Sequence, residues 1–203
     1  MSRYTGSTNR KARRLGISIL ETGKEFSKGK KRTTAPGQHG AKKVKLSNYG
    51  QQQKEKQKLQ LIYGLTDRKM RNTFKVAKKM GGVLGENLLQ TLESRMDNLV
   101  YRAGFCSTRR QARQLVNHGH VLIDGRKMDI CSHLVKVGST ISIKEKARAN
   151  TMITNSLKNS TPAAWIQLDS NNFSFVYSRL PERKEMNQEV NETFVVEWYK
   201  RMV

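Results

Sequence analysis

Three arginines fall within two turns of one predicted helix. Arg109, Arg110 and Arg113 follow Thr108, which fits a capping box with Gln111 three residues later, so a helix is predicted to start here. A guanidinium group carries several N–H donors in a planar fork that matches the oxygens of a phosphate. We therefore expect the three arginines to lie on an exposed face and to grip adjacent phosphates.

A tight β-hairpin is predicted directly after this helix. Residues 121–123 and 127–130 are strand-like runs, and Asp124-Gly125 between them is a typical two-residue turn. The helix is short and lacks Asn or Gln at several base-reading positions, so readout of DNA base edges is not favoured. Recognition of a folded RNA by its shape fits better.

The charge of the whole chain points to the same kind of partner. Lysine and arginine number 39 against 16 aspartates and glutamates, a net charge of +23. Residues 1–60 contain sixteen basic and three acidic side chains, whereas residues 151–203 contain six of each. Self-repulsion on this scale opposes compaction unless a polyanion compensates it, and nucleic acid is the usual one. A basic surface that serves only solubility is the alternative.

Residues 1–46 are predicted to form an extended basic arm. Cations are grouped between Arg3 and Arg14 and again at residues 28–32, and the run Ala-Pro-Gly-Gln-His-Gly follows at residues 35–40. A Pro-Gly pair indicates a loop, and such a bend brings N–H groups and cations together for phosphate contact. Hydrophobic residues make up only 36% of the chain, so we expect part of the arm to become ordered only against its partner.

The remaining elements follow from periodicity and turn residues. A helix is predicted from Ser47 to about Gly64, with Lys54, Lys56 and Lys58 pointing outward. Further along the chain, a helix is predicted to start at Thr66-Asp67 and to bury Met70, Phe74 and Ala77, and helical spacing resumes from Leu88 to Ala103. Strands are predicted at residues 140–144, 165–169 and 173–177, and residues 147–161 are a polar stretch. At the C-terminal end, Val190, Phe194 and Trp198 form an apolar face at helical spacing.

Together these elements predict an α+β protein. We expect a basic arm at residues 1–46, a mainly helical domain at 47–93 that is completed by residues from about 178 to 203, and an RNA-binding domain at 94–177. The core of that last domain, at about 95–150, is expected to be a two-helix and β-hairpin module.

An enzymatic function is not favoured, because the sequence shows no set of reactive side chains at a spacing that would form a catalytic site. The histidines His39, His118, His120 and His133 have no nucleophile or acid–base partner at a useful spacing. As a metal pair, His118 and His120 lack further ligands. We expect no catalytic residue, no metal and no cofactor.

The compartment is expected to be reducing. Cys106 and Cys131 give neither a zinc site nor a disulfide framework, and structural thiols are favoured over a redox role. No segment approaches the roughly 20 apolar residues of a membrane span. A DNA-packaging protein would carry a similar charge, but it would bind any duplex with comparable affinity.

Several motifs resemble one family. Residues 95–102 (RMDNLVYR), 108–114 (TRRQARQ) and 118–125 (HGHVLIDG) look like the RNA-binding module first named from ribosomal protein four of the small subunit. The similarity continues through residues 3–6 (RYTG), 35–40 (APGQHG), 46–50 (LSNYG), 54–58 (KEKQK), 85–89 (GENLL) and 180–183 (LPER). Because it is collinear over the full length, it favours the bacterial-type or organellar ribosomal protein family over pseudouridine synthases and a tRNA synthetase, which share only the module.

The resemblance implies a helical first domain, built from both ends of the chain, with the module inserted between them. It also implies a primary binder of small-subunit (16S-type) rRNA that starts assembly of the subunit body, in the cytoplasm or in an organellar matrix. The residues that we expect to contact rRNA are Arg3, Tyr4, Arg10, Arg13, Arg14, Gln38, His39, Lys54, Lys56, Lys58, Arg71, Arg95, Arg102, Arg109, Arg110, Arg113, Gln114, Asn117, His118 and His120.

By the same resemblance, Lys42, Lys43 and Lys45 are expected near the mRNA entrance of the subunit, alongside ribosomal proteins three and five. Contact with protein five implies a part in decoding accuracy. Some relatives carry a four-cysteine zinc site in the arm, but residues 1–105 contain no cysteine. We therefore expect any order in this arm to come from RNA rather than from metal.

The neutral C-terminal segment is the part least suited to RNA. Its acidic residues are either a surface for protein partners or a solvated face, and the pattern leaves both open. They are Glu182, Glu185, Glu189, Glu192 and Glu197.

Overall fold

The computed structural model describes residues 4–23, 26–27, 33–42 and 45–202. The predictions for Arg3, Lys43 and the cations at residues 28–32 lie outside the described residues. The chain divides into two compact units: unit 1 comprises residues 1–88 and 187–203, and unit 2 comprises residues 89–186. The domain bounds expected from the sequence stay a prediction.

The helices and strands of the described residues give an α+β protein, as predicted. The helices are α1 (Thr8–Leu15), α2 (Asn48–Ile62), α3 (Asp67–Lys79), α4 (Leu84–Glu93), α5 (Met96–Arg102), α6 (Arg109–Asn117), α7 (Glu145–Arg148), α8 (Thr151–Asn159) and α9 (Glu192–Lys200). The strands are β1 (Val121–Ile123), β2 (Arg126–Met128), β3 (Thr140–Ile143), β4 (Ile166–Asp169) and β5 (Ser174–Tyr177). None of these helices is long and apolar enough to cross a membrane.

The N-terminal segment is not extended throughout, which corrects the sequence-based expectation. Helix α1 forms there, with the Ser7 hydroxyl accepting a hydrogen bond from the N–H of Arg10 and with Gly16 ending the helix at φ +76°. Ala12 and Leu15 are buried, and so is Ile17 beyond the helix. Apolar packing therefore orders part of the arm without metal, and the expectation that only RNA would do so is wrong for this helix.

The next two helices were predicted correctly, but their lysines were not. Ser47 caps α2, and Met70, Phe74 and Ala77 form the buried stripe of α3. Lys56 and Lys58 do not point into solvent, because each forms an ion pair within unit 1 and the exposed fractions of their side chains are 14% and 13%.

The C-terminal apolar face also differs in detail from the prediction. Helix α9 packs on α2 and buries Val195, Trp198 and Tyr199. Val190 is buried but precedes the helix, and Phe194 is only half-buried. The helix starts at Glu192, two residues later than the apolar spacing indicated, and it buries Val195 rather than Phe194.

The helical spacing from Leu88 to Ala103 is divided between two helices rather than one. Arg95 is extended between α4 and α5 and forms an isolated β-bridge with Leu134. The N–H groups of the next two residues donate to the carbonyls of His133 and Cys131, at 2.9 and 3.2 Å. These bonds to the β2–β3 connection satisfy backbone groups that a continuous helix would have bonded internally.

Unit 2 is built on a five-stranded antiparallel sheet with the order β2-β1-β3-β5-β4. The predicted hairpin is present: Ile123 pairs with Arg126, and both turn residues have positive φ (Asp124 at 47° and Gly125 at 79°). The predicted strands near residues 140, 166 and 174 are also confirmed.

The polar stretch at residues 147–161 is mostly helical, which was not predicted from the sequence. Ala147 and Ile153 from α7 and α8 are buried in the core of unit 2. Each helix contributes only one fully buried residue, so neither shows a clear apolar stripe in the sequence. Tertiary packing, rather than periodicity, accounts for them.

Candidate nucleic-acid interface

Helix α6 starts where the arginine motif predicted. The Thr108 hydroxyl accepts a hydrogen bond from the N–H of Gln111 at 3.3 Å. The Gln111 side chain reaches back to Ser107, not to Thr108, and accepts from its N–H at 3.1 Å and from its hydroxyl at 2.9 Å. The return bond of the capping box is therefore made to Ser107 rather than to Thr108. The bonds of Thr108 and Gln111 still stabilise the first turn of the helix.

A buried carboxylate holds two of the predicted RNA-binding arginines. Asp97, whose side chain is 6% exposed, accepts from Arg95 at 3.1 and 3.0 Å and from Arg113 at 3.1 and 2.7 Å. The side chains of Arg95 and Arg113 are only 7% and 18% exposed. The expectation that Arg113 lies on an open face of α6 is thus wrong, because Asp97 draws it inward.

A second buried carboxylate extends this network. Glu93 is fully buried and accepts from Asn98 at 2.5 Å and from Arg102 at 3.0 and 2.9 Å. The Asn98 amide oxygen accepts from Arg109 at 2.8 Å. Arg109 also lies over the ring of Tyr101, 4.5 Å from its centroid, so it is half-buried rather than outward. Charge-assisted hydrogen bonds of this kind fix the position of α6 on α5.

The open surface of α6 is formed by a different set of side chains. Arg110, Gln114, Asn117 and His118 are exposed, and their spacing of four, three and one residues places them on neighbouring turns. His120 is half-buried, with its ring centroid 6.0 Å from that of His118. Four polar side chains along the length of α6 are thus accessible to a ligand.

The hairpin adds cations that the sequence motifs did not indicate. Arg126 and Lys127 are exposed. The Lys127 side chain passes over Gly119, since a Cβ atom built there would lie 2.3 Å from Lys127 Cε. The hairpin therefore adjoins the end of α6. We call Arg110, Gln114, Asn117, His118, Arg126 and Lys127 the α6–hairpin surface. The Asp-Gly turn could have identified its last two members, because residues at a hairpin tip are exposed.

In unit 1, a carboxylate again holds some of the predicted cations. Asp67 accepts from Lys56 at 2.9 Å and from Arg71 at 2.8 Å, and also from Gln60 and Tyr199. Burial by itself would raise the pKa of Asp67, but hydrogen bonds from Lys56 and Gln60 and the nearby positive charges outweigh it and lower that pKa.

Other predicted contacts in unit 1 are accessible. Most of them lie near the N-terminal helix or in the turn at residues 35–40. The exposed ones are Tyr4, Arg10, Arg14, Gln38, His39 and Arg71, while Arg13 and Lys54 are half-buried and the predicted mRNA contacts Lys42 and Lys45 are exposed.

The two thiols are buried and free, as the sequence indicated. Burial raises the pKa of Cys106 to about 12. Burial and the neighbouring Asp97 charge raise the pKa of Cys131 too, and its thiol donates to Asn117 Oδ1 at 2.8 Å. Both are protonated at neutral pH and therefore poor nucleophiles. Within the described ranges, no three His, Cys, Asp or Glu side chains are grouped as a metal site would require.

Comparison with known proteins covers the chain from one end to the other. Residues 3–93 match the ribosomal protein S4/S9 N-terminal domain, and residues 94–141 match the S4 domain. The small ribosomal subunit protein uS4 of Ureaplasma urealyticum serovar 10 is 60% identical over 204 residues, which covers 100% of both chains. Those of Mesoplasma florum and Mycoplasma capricolum are 55% and 53% identical, and the alignments cover 100% of this chain and 100% and 99% of theirs. The chain belongs to the uS4 family of small ribosomal subunit proteins, which are structural proteins and not enzymes.

Proposed function

We propose that this protein is a primary binder of small-subunit (16S-type) rRNA and nucleates assembly of the subunit body. The observation that carries the proposal is the α6–hairpin surface, where exposed Arg110 and His118 adjoin exposed Arg126 and Lys127. Lys127 forms only a loose, exposed ion pair with Asp129, at 3.7 Å, so its charge remains accessible to an RNA. Phosphate contacts of such cations supply most of the affinity and position a protein on its RNA.

The buried arginines support this surface rather than form it. Arg95 and Arg113 neutralise Asp97, and Arg102 neutralises Glu93. Moving these arginines to RNA would leave two buried carboxylates without counter-charges, at a cost of several kcal/mol each. We infer that Arg95, Arg102, Arg109 and Arg113 act by holding α6 in place.

Two further proposed roles concern mRNA and neighbouring ribosomal proteins. We propose that Lys42, Lys43 and Lys45 face the mRNA entrance and that the C-terminal segment contacts protein five, which links the chain to decoding accuracy. Exposure of Lys42 and Lys45 supports the first role. For the second, Glu182, Glu189 and Glu197 are candidates because all three are exposed, whereas Glu185 is already paired with Arg179. Protein three is the other proposed neighbour.

The rRNA proposal is tested by binding of the full-length protein to an rRNA fragment of the 5′ domain. Replacing Arg110 and Lys127 with Ala should weaken binding at least tenfold and should reduce the slope of log affinity against log salt by about 0.7–0.9 for each phosphate that is no longer neutralised. The matched control replaces Lys146 and Lys158, two exposed cations of the same unit, and should weaken binding much less. Equal weakening in both variants would contradict the assignment of this surface.

A competition experiment separates rRNA binding from DNA packaging. An excess of duplex DNA should displace little protein from the rRNA fragment, because the surface recognises a folded RNA by shape. Displacement at comparable concentrations of duplex and rRNA would favour the DNA-packaging alternative.

The mRNA role predicts a selective effect on translation. Subunits reconstituted with Ala at positions 42, 43 and 45 should assemble normally but elongate more slowly on messages with a stable hairpin ahead of the decoding site. Sequence-tolerant charge attraction to a moving strand is the expected mechanism. Failure of assembly would place these lysines among the rRNA anchors instead, and equal rates on structured and unstructured messages would argue against an mRNA contact.

A further inference from the structure

A groove in unit 2 is lined by helix α8, by residues 160–165 and by the region where α5 leads into α6. Its volume is about 840 Å³, which is within the range of binding sites for small molecules and short peptide segments. Met152, Asn155 and Asn159 of α8 line it, and Tyr101 and Gln111 contribute from α5 and α6. All of the residues that form this groove belong to unit 2.

The deepest lining residues of the groove are apolar. Cys106 and Trp165 are each 2% exposed, and Ala163 is half-buried. Met152 lines the same groove with 57% of its surface exposed, and its unbranched side chain can adapt to the shape of a ligand. A large apolar side chain of a partner would be removed from water here together with the exposed part of Met152, which favours binding.

Trp165 also brings a hydrogen-bond donor to this apolar region. Its indole Nε1 is buried and has no hydrogen-bond partner among the described residues. A buried donor in this state destabilises the folded protein, because it has lost water without gaining an acceptor. A carbonyl oxygen that enters the groove beside Trp165 would supply that acceptor, so we expect the ligand to carry one.

Two asparagines of α8 add neutral groups that both donate and accept hydrogen bonds. Asn155 and Asn159 are exposed, and no hydrogen bond of the described residues involves their side-chain amides. They are four positions apart, so they lie on one face of the helix. A primary amide can bond to the N–H and to the C=O of a peptide group at the same time. The α8 wall therefore suits a peptide backbone.

The segment at residues 160–164 offers backbone acceptors beside this wall. Ser160 is extended, with φ −117° and ψ 144°, and Thr161 is held in an extended conformation because it precedes Pro162. No backbone hydrogen bond of the described residues uses the carbonyls of Pro162 and Ala164. Main-chain hydrogen bonds to an extended segment are a common way of binding an extended peptide.

The charged residues of the groove are already neutralised. Arg102 forms an ion pair with Glu93 at 2.9 Å, and Glu185 is paired with Arg179. One lining cation and one lining anion also cancel each other, although the chain as a whole has a net charge of +23. An RNA strand brings a phosphate with every nucleotide and gains its affinity from accessible cations. The groove therefore fits a neutral ligand better than an RNA.

We propose that this groove binds an extended, uncharged peptide segment of another protein. One large apolar side chain of the segment packs against Cys106, Met152 and Trp165, and a backbone carbonyl accepts from Trp165 Nε1. Asn155 and Asn159 bond to the peptide groups on either side of this apolar side chain. The inference goes beyond the proposed binding of rRNA and does not depend on it, because it concerns a different surface and a different class of partner.

The test titrates the full-length protein with the blocked peptide acetyl-Gly-Ser-Phe-Ser-Gly-amide and follows its NMR signals. The indole N–H of Trp165 and the side-chain amides of Asn155 and Asn159 report on the groove, and the indole N–H of Trp198 in unit 1 is the internal reference. Saturable shifts are expected at the three groove signals and not at Trp198. The same peptide with Ala in place of Phe should bind at least about tenfold more weakly, because it lacks the apolar side chain.

Two double variants assign the peptide to the groove. Asn155→Ala with Asn159→Ala removes both amides of the α8 wall and should weaken binding of the peptide at least about fivefold. Gln167→Ala with Asn171→Ala removes two exposed amides of the same unit that do not line the groove, and it should leave the affinity for the peptide unchanged. Circular dichroism checks that both variants fold. Both should bind the rRNA fragment as tightly as the wild-type protein.

The proposal is overturned if the peptide causes no saturable shift, or if both double variants weaken its binding equally. Adenosine serves as a second probe: saturable shifts with adenosine and none with the peptide would assign the groove to an unpaired base instead. A loss of rRNA affinity confined to the groove variant would also overturn the proposal in favour of RNA. Failure of the proposed function would look different, because the wild-type protein would then show no preference for rRNA over duplex DNA, while the peptide titration would be unaffected.

Discussion

Helices α1 and α6 are both short and rich in arginine, yet the molecule uses their arginines in opposite ways. In α6, Arg109 and Arg113 bond to Asn98 and Asp97 within unit 2, and Arg110 alone of the three is exposed. In α1, Arg10 and Arg14 are exposed, and no ion pair of the described residues includes them. Arginine content alone therefore does not identify an RNA contact, because acceptors within the unit, such as Asp97 for Arg113 and Asn98 for Arg109, decide whether the cation faces inward.

Because of this difference, we expect the two regions to bind RNA with different amounts of ordering. The α6–hairpin surface is positioned by a buried network before any partner arrives, so little ordering should accompany its binding. Arg10 and Arg14 of α1 have no comparable neutralisation among the described residues, so we expect an RNA that contacts α1 to relieve self-repulsion there. Substitutions of the carboxylates and of the helix caps would separate these two behaviours.

The largest effect is expected at Asp97. Replacing it with Asn leaves Arg95 and Arg113 without their counter-charge, and losing one partner of a buried ion pair costs about 3–5 kcal/mol. Amide hydrogen exchange in unit 2 measures the destabilisation region by region. The matched control is Asp129→Asn, whose pairing with Lys127 is exposed on both sides and should be worth less than about 1 kcal/mol. Similar effects of the two substitutions would mean that Asp97 does not hold the network.

An intermediate effect is expected when the caps of the two helices are removed. Ser7→Ala and Thr108→Ala each delete one hydroxyl that accepts a hydrogen bond from the third residue of the helix, at 3.4 and 3.3 Å. Each should cost about 0.5–2 kcal/mol. Because side-chain bonds also anchor α6, the effect of Thr108→Ala should spread across unit 2, whereas faster exchange after Ser7→Ala should be confined to α1. Local fraying of α6 alone would show that the network does not couple it to its unit.

The smallest effect is expected at Asp67, the partly exposed counterpart of Asp97 in unit 1. Its pKa is lower in the folded protein than in the unfolded chain, so its contribution to stability is present above the unfolded pKa of about 3.9 and is lost as the pH falls through the lower folded value. Asp67→Asn should therefore destabilise the protein slightly at neutral pH, by less than about 1 kcal/mol for a solvated pair. Denaturant unfolding at pH 7 and near pH 3 measures this difference. A gap between wild type and variant that widens toward pH 3 would contradict the sign.

Local signals in the sequence were sufficient for the regular elements. Ser47 and Thr108 cap the helices that they were expected to start, and Asp124-Gly125 forms the expected hairpin turn, because capping and positive φ depend on neighbouring residues only. The collinear motifs were also sufficient to indicate the family. The buried stripe of α3 followed from helical spacing alone.

Features that depend on distant partners could not be predicted in this way. Helix α1 and helix α8 each gain their stability from one or two buried residues, too few for a visible stripe. The break at Arg95 depends on bonds to His133 and Cys131, far along the chain. No spacing rule indicated that Asp97 would turn Arg113 inward.

The amino-acid sequence alone established that this protein carries a large positive charge, which predicts a polyanionic partner, and that arginines and a hairpin occur together near residue 110. Which of these cations is available to that partner depends on tertiary packing. A buried carboxylate must be neutralised, so Glu93 and Asp97 bind Arg95, Arg102 and Arg113 inside unit 2. Arg110 and the cations of the hairpin tip, Arg126 and Lys127, stay exposed and therefore accessible to a ligand.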